Sequence, residues 1–456
     1  MHTFDANEST RRRRALFIAY TFPPVGGAGV QRTTKFVKYL PHWGWDASVL
    51  TVGNPSVPLR DESLLGDVPR STNIVRARTF EPSYTRKITF ARTGGRPGTG
   101  AAVKRALASV AIGLLQPDPQ VLWNAPAFIA GIRALRRAHH DVIVASAPPF
   151  SSLLLGAALS AATGTPLVLD YRDEWDISNR YWEHRRVRAL SLAIQRGMER
   201  YALRRASAVV ATSARSAATL DLLCRRAGSS AAVTHIFNGF DPEDFSSGEA
   251  TVPPPACETW RLVYTGTLYH LMSPEPLVRA VETLAAQRPD LARRIELVFA
   301  GRHTPEQRQR LMRLAHICRL QVHEYVSHPE AIALMRSADA LCLLLSDLPG
   351  AERVIPAKLF EYIASGRPIV AIAPEGDVSD LLRDHPGAVA FAPGDVSAIG
   401  EWLARAIQGG VRMPEPGIAQ TGPYNRRRQA QQLASLLEGL VCAPGHGRAK
   451  GVPCSA

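Results

Sequence analysis

Lys358 and Glu361 stand three positions apart in residues 349–371, where Pro356 suits the first turn of a helix and Gly366 and Pro368 end it about ten residues later. Helical spacing sets the two side chains one turn apart, with Leu359, Ile363 and Tyr362 turned inward. The free amides and positive end of such a helix attract a phosphate, and Lys358 adds charge. The carboxylate of Glu361 can accept hydrogen bonds from a ribose diol, so the pair has the chemistry of a nucleotide-sugar pocket. A capped surface helix carrying an intrahelical Lys–Glu pair is the alternative reading of the same spacing. Two further places carry chemistry. Gly26 and Gly27, in a turn over residues 21–32, let backbone approach a ligand closely. Asp170, Arg172 and Asp173 gather three charges at a strand end, followed by Trp175.

The elements that must position these residues alternate. Residues 15–20 read as a first strand, the glycine turn leads into an amphipathic helix ending near Tyr39, and residues 47–52 form the next strand. A dinucleotide fingerprint would need Gly in place of Arg32 and an acid after that next strand, where Gly53 and Asn54 stand instead, so NAD binding is disfavoured. Residues 53–100, rich in Pro, Gly and Arg, predict an excursion over the first domain. Strands at 141–145, 166–170 and 208–211 alternate with helices at 126–138, after Pro149 and at 182–205, which implies a parallel, doubly wound sheet whose strand C-termini line a crevice. A strand at 233–237 runs into Asn238-Gly239-Phe240-Asp241. A second series follows: a strand from Arg261 entering the turn at Gly266 and Thr267, one ending at Arg302, strands near 320–323 and 339–345 around a helix at 329–337, and helices at 377–384, 395–408 and 425–440.

At 456 residues the chain exceeds the usual limit for one core, so two domains are expected. Six scattered cysteines, with no C-x-x-C pair, predict a reducing compartment and no structural metal. Residues 142–169 carry no charge, but Pro148, Pro149 and Gly164 interrupt them, and strand, helix, strand is expected rather than a membrane span. The apolar segment 106–115 reads as a buried helix or as one lying in a membrane interface. The formal charge of +14 is uneven: residues 1–240 hold 32 Lys plus Arg against 16 Asp plus Glu, and residues 241–456 hold 22 against 24. The asymmetry predicts an anionic partner for the first half, and an anionic membrane surface or lipid diphosphate fits better than nucleic acid, for which no motif is present.

Pro356, Lys358, Glu361, Tyr362, Ala364, Gly366 and Pro368 fit the pattern P-x-K-x-x-E-Y-x-A-x-G-x-P, and the stretch resembles the donor site of the retaining GT-B glycosyltransferases of family 4, or group 1. Asp170 to Trp175 resemble the D-x-R-D-x-W segment of the same branch, Asn238 to Asp241 its N-G-hydrophobic-D signature, and residues 15–51 its opening strand and double-glycine turn. The resemblance covers about residues 15–440. It implies a GT-B fold, two Rossmann-like domains facing across a cleft: a basic tail at 1–14, an acceptor-side domain at 15–241, a linker at 242–258, a nucleotide-sugar domain at 259–424, a helix at 425–442 that crosses back, and a tail at 443–456.

It further implies transfer of a sugar from a UDP-, GDP- or dTDP-sugar to a hydroxyl acceptor, lipid-linked acceptors included, with retention and with no metal or other cofactor. Bacterial polysaccharide, glycolipid or glycosylated-metabolite synthesis in the cytoplasm, at or near the inner membrane face, is the setting. Asp170, Arg172 and Asp173 are the expected catalytic group, hydrogen-bonding the acceptor or the transferred sugar, with Trp175 stacking on a sugar face. Gly26, Gly27, Gly266, Thr267, Arg302, Arg353, Lys358 and Glu361 are the expected donor group. Two positions depart from the family. Arg353 stands where most members have a first Glu, and Thr267 replaces the Arg after the glycine, which leaves Arg302, Arg353 and Lys358 to neutralise the diphosphate. A nucleotide-sugar epimerase on the same fold and a non-catalytic carbohydrate-binding or assembly protein are the rival readings.

Overall fold

The computed structural model describes residues 12–57, 59–82, 115–181, 189–246, 259–410 and 422–442, and the expectations for 1–11, 83–114, 182–188, 247–258 and 443–456 lie outside them. The first sheet contains β1 (Arg13–Ile18), β2 (Trp45–Val52), β3 (Asn73–Ala77), β4 (Val142–Ala147), β5 (Leu167–Tyr171), β6 (Ala208–Ala211) and β7 (Ala232–His235), all parallel, in the order β3-β2-β1-β4-β5-β6-β7. The second contains β8 (Trp260–Thr265), β9 (Ile295–Ala300), β10 (Arg319–His323), β11 (Ala340–Leu344), β12 (Ile369–Ile372) and β13 (Ala388–Phe391), again parallel, in the order β10-β9-β8-β11-β12-β13. Strands buried on both faces must be apolar throughout, which is why β4 reads VIVASA and β11 reads ALCLL. In each sheet the order reverses once, between β1 and β4 and between β8 and β11, and a crevice opens at the strand C-termini there.

Three sequence expectations change. The stretch 53–100 contains β3, an edge strand paired with β2, rather than only an excursion. Residues 242–246, expected as linker, form a helical turn, Pro242–Ser246. Arg13 and Arg14 belong to β1 rather than to a tail. The uncharged span 142–169 folds as strand, helix, strand, and no described helix is long and apolar enough to cross a membrane.

The last helix, Arg426–Cys442, crosses back to the first domain, where Ala430, Leu433, Ala434 and Leu437 are buried with Phe17, Phe36, Val37 and Trp45. Its start is pinned to the Asn238–Asp241 signature. The Arg426 amide donates to the Phe240 carbonyl at 2.9 Å, and the Gln429 side chain donates to the Asn238 carbonyl at 2.8 Å. A Cβ on Gly239 would lie 2.0 Å from the Tyr424 carbonyl oxygen, so only glycine permits this approach.

Beside that crossing lies a buried cluster of charges. The Lys35 ammonium, on the Ala28–Tyr39 helix, meets Asp67 at 2.6 Å, Asp241 at 2.7 Å and Asp244 at 2.9 Å. Lys38 meets Asp67, Asp241 and Glu243 at 2.7–2.8 Å, and the Tyr39 hydroxyl donates to Asp241 at 2.6 Å. The three aspartates converge closely enough to suggest a metal site, but Lys35 already sits among them. Burial works to raise the Asp241 pKa, and Lys35, Lys38 and Tyr39 outweigh it, holding the carboxyl at about 2 against an ordinary 3.8.

A carboxyl with a depressed folded-state pKa stabilises the protein above its unfolded value and loses that contribution as pH falls through the folded one; here the window is pH 3.8 to about 2 and the amount roughly 2 kcal/mol. Asp241→Asn is expected to lower the melting temperature at pH 7 and to flatten its decline across that acid window, read by thermal unfolding from pH 2 to 7. An unchanged acid slope would mean that Asp241 does not carry this linkage.

Candidate active site in the interdomain cleft

The second domain supplies a cation over a glycine turn. The helix Lys358–Ser365 starts after Ala357 with no side-chain cap, and Tyr362 fixes it to the sheet: its buried hydroxyl accepts the Thr265 amide at 2.9 Å. This holds Lys358 across the end of β8. Its ammonium donates to the Tyr264 hydroxyl at 2.5 Å, lies 3.9 Å from that ring's centroid, and would be 2.6 Å from a Cβ on Gly266, whose φ is +119°. No described carboxylate pairs with it, and the surrounding protein pushes its pKa down to about 7. Thr267 continues the turn, its carbonyl accepting from Tyr264 at 2.9 Å. Arg302 follows β9 next to Gly301, which touches Gly266, and its exposed side chain makes no hydrogen bond or ion pair among the described residues.

Glu361 is half-buried one turn after Lys358, and burial raises its pKa against the pull of His328, Arg426 and Lys358. His328 begins the helix His328–Arg336. It stands 4.0 Å from Glu361 through Nδ1 and 3.2 Å from Asp244 through Nε2, which links Glu361 to the buried cluster around Lys35. Burial disfavours the charge of His328, but the hydrogen bond to Asp244 and the charges of Glu361 and Asp244 prevail, and its pKa is raised.

The first domain contributes the ends of β1, β4 and β5. Gly26 receives the side chain of Leu59, whose Cγ would be 2.9 Å from an added Cβ, and Gly27 caps the Ala28–Tyr39 helix with its own backbone. Asp170 is buried with both oxygens engaged: Arg32 pairs with it at 2.9 Å and Ser146 donates at 2.9 Å. Arg32 also donates to the carbonyls of Ile236 and Phe237, each at 2.9 Å, so Asp170 holds the crossing in place. The Arg172 guanidinium is spent on the carbonyls of Gly29, Ala147 and Pro148. Asp173 differs from both. It is exposed and makes no hydrogen bond or ion pair among the described residues, while desolvation by the surrounding protein raises its pKa against the charge of Arg172. Trp175, expected on a sugar face, is buried, stacked on Phe150 at 4.6 Å and donating to Gln195 at 2.9 Å.

Arg353 is the expected donor residue that the structure places elsewhere. It forms a two-pronged pair across the domains with the buried Glu174, at 2.8 and 3.0 Å, and a third contact with Glu352 at 2.6 Å. Ser213 donates to the Arg353 carbonyl at 2.8 Å, Tyr181 to the Pro349 carbonyl at 2.7 Å, and Arg215 pairs with Asp380 at 2.7 Å, so this edge of the cleft is clasped shut. Sequence reading missed Glu174, His328, Asp244, Lys35 and Arg32. The only signals were Glu174 inside the D-x-R-D-x-W segment and Asp241 inside the signature that carries Asp244 three residues on. A small cavity of about 190 Å³ between Arg14, Asp46, Ser48 and Asn73 opens at the opposite end of the first sheet, away from this chemistry.

Residues 25–244 match the family described as Glycosyltransferase Family 4, and residues 259–408 match Glycosyl transferases group 1. Each half of the chain thus matches a glycosyltransferase family model. Among solved structures the chain resembles Anabaena Alr3699/HepE in complex with UDP and glucose, at 16% identity and TM-score 0.51 over 94% of this chain and 97% of that one. It also resembles the apo form of the lipopolysaccharide outer core galactosyltransferase WaaB, at 12% and 0.54 over 93% and 99%. A putative UDP-N-acetylglucosamine 2-epimerase from Listeria monocytogenes matches at 10% and 0.53 over 96% and 98%. These likenesses establish the GT-B fold. No curated protein sequence matches the chain.

The Glu174–Arg353 pair generates a prediction. Removing Arg353 strands the buried Glu174, and removing Glu174 leaves Arg353 only Glu352, so Arg353→Ala and Glu174→Ala are each expected to destabilise, and the double variant should cost less than their sum by about 1–3 kcal/mol. Urea unfolding of the four proteins measures this; strict additivity would show that the two residues do not couple.

Proposed function

We propose that the chain transfers a sugar, with retention, from a nucleotide-diphosphate sugar to a hydroxyl acceptor in the cleft between its two glycosyltransferase domains. The observation that carries this reading is the Lys358 ammonium, held without a carboxylate over the Gly266 turn and beside an uncapped helix N-terminus. An unpaired cation in such surroundings is stabilised by an anion, and a diphosphate has the charge and reach to meet the turn, Lys358 and Arg302 together. Glu361, kept in place through His328, accepts from the ribose hydroxyls.

The sugar then points across the cleft toward Asp173. The bond from the anomeric carbon to the diphosphate oxygen breaks, and the acceptor oxygen bonds to that carbon from the same face. The departing phosphate oxygen is therefore placed to take the hydroxyl proton. Lys358 and Arg302 stabilise the leaving diphosphate, and Asp173 orients the acceptor or the sugar. Asp170 and Arg172 act through position: they fix the strand ends on which Asp173 stands. UDP in HepE and the galactosyltransferase activity named for WaaB support a nucleotide-sugar donor by fold only.

A thermal-shift screen against UDP-, GDP- and dTDP-sugars is expected to single out one donor by the stabilisation that binding brings. With that donor, Lys358→Ala and Glu361→Gln should each lose about 1.5–3 kcal/mol, a rise in KM of tenfold or more. Asp173→Asn should lower kcat about 10²-fold with donor Kd nearly unaltered. Appearance of an epimeric sugar with no acceptor present would replace transfer by isomerisation, and stabilisation by no nucleotide sugar would overturn the pocket itself.

A further inference from the structure

The helix Ala189–Arg205 carries apolar residues on the wrong side. Gln195, Ala202 and Leu203 face the core, yet Leu190 is 74%, Ile194 43% and Tyr201 45% exposed, and with Gly197 they fall at i, i+4, i+7 and i+11, one stripe along the outer face. Arg200 flanks the stripe on one side, with Arg196 further round the helix, and Arg205 flanks it on the other; all three are exposed, and no hydrogen bond or ion pair holds them among the described residues. This helix packs between Ser151–Thr163 and Ala214–Ala227, and Ser151–Thr163 in turn packs on Val121–Arg137, so the four form one layer over the first sheet. The layer holds ten arginines against two carboxylates, Glu199 and Asp221. Glu199 lies beside the Tyr171 hydroxyl, and Asp221 is paired with Arg225 at 2.6 Å. Ile129 at 52% and Leu222 at 53% add further exposed apolar side chains on the flanking helices.

We infer that this helix layer is a docking face for an anionic phospholipid bilayer, with Ala189–Arg205 lying in the plane of the interface. The complementarity is twofold: arginines meet lipid phosphates while Leu190, Ile194 and Tyr201 enter the boundary between headgroups and acyl chains. A second copy of the chain is a poor occupant, because a face of this charge repels itself. Nucleic acid offers nothing to the stripe of Leu and Ile. The inference does not depend on the proposed transfer reaction, and its test needs no donor.

Full-length protein is co-sedimented with vesicles of phosphatidylcholine alone and of phosphatidylcholine with phosphatidylglycerol. Binding is expected only to the anionic vesicles and should be lost at about 0.5 M salt, where the Debye length is a few ångströms. Arg196→Gln/Arg200→Gln/Arg205→Gln should weaken partitioning about 100-fold, at roughly fivefold per residue, and Leu190→Ser/Ile194→Ser should weaken it as well. Arg293→Gln/Arg405→Gln, in the second domain, should not. Melting temperatures within a few degrees of wild type certify that the variants fold. Failure to bind anionic vesicles, or equal binding by the triple arginine variant, would overturn the proposal. A lipid-free dimer that Leu190→Ser/Ile194→Ser dissolves would overturn it too, by assigning the face to a second copy.

Discussion

Lys35, on the first long helix, neutralises carboxylates from three separate segments: Asp67 from the excursion after β2, Asp241 from the end of the first domain, and Asp244 from the turn that leaves it. Moving such a group out of water is expensive, and its geometry must be nearly complete to recover the cost. The Tyr39 hydroxyl and Lys38 complete it. These three segments are therefore fixed against the same ammonium. The Ala28–Tyr39 helix brings Arg32 to Asp170, and Asp244 brings His328 to the neighbourhood of Glu361. Glu361, proposed to meet the donor ribose, thus sits one histidine away from charges of the first domain.

The opposite edge of the cleft is closed by different means. Glu174 and Arg353 form a planar, two-pronged pair, and hydrogen bonds from Ser213 and Tyr181 surround it. Three charged groups find no opposite charge to pair with among the described residues: Asp173 in the first domain, and Lys358 and Arg302 in the second. Ionic groups around the cleft divide sharply into those spent on architecture and those left free. The free ones are where a ligand gains most, because nothing in the protein has to be displaced to meet it.

Most of the regular elements were legible in the sequence. Pro356, Gly366 and the spacing of Lys358 and Glu361 describe the short helix that forms at Lys358–Ser365, and parallel sheets follow from buried apolar runs alternating with helices. What depends on distant partners was not legible. Arg353 reads as a phosphate ligand until Glu174, 179 positions away, is seen to take its charge. Asp170 reads as a catalytic carboxylate until Arg32, 138 positions away, is placed beside it. Trp175 gave no sign whether it would stack on a sugar or on Phe150, since both uses bury an aromatic face. Strand β3 was hidden because an edge strand of five residues, two of them exposed, barely departs from the Pro- and Gly-rich stretch around it.

The central claim is that a diphosphate binds at Lys358, and protonation tests it most directly. In the free protein burial pushes the pKa of this amine down to about 7, and an adjoining dianion would keep it charged well above that. Nucleotide-sugar binding measured by calorimetry at about pH 8, in buffers of different ionisation enthalpy, should therefore show uptake of close to one proton per site, fading below about pH 6 and absent in Lys358→Ala. Tight binding with no proton taken up, or uptake that persists without Lys358, would contradict the account.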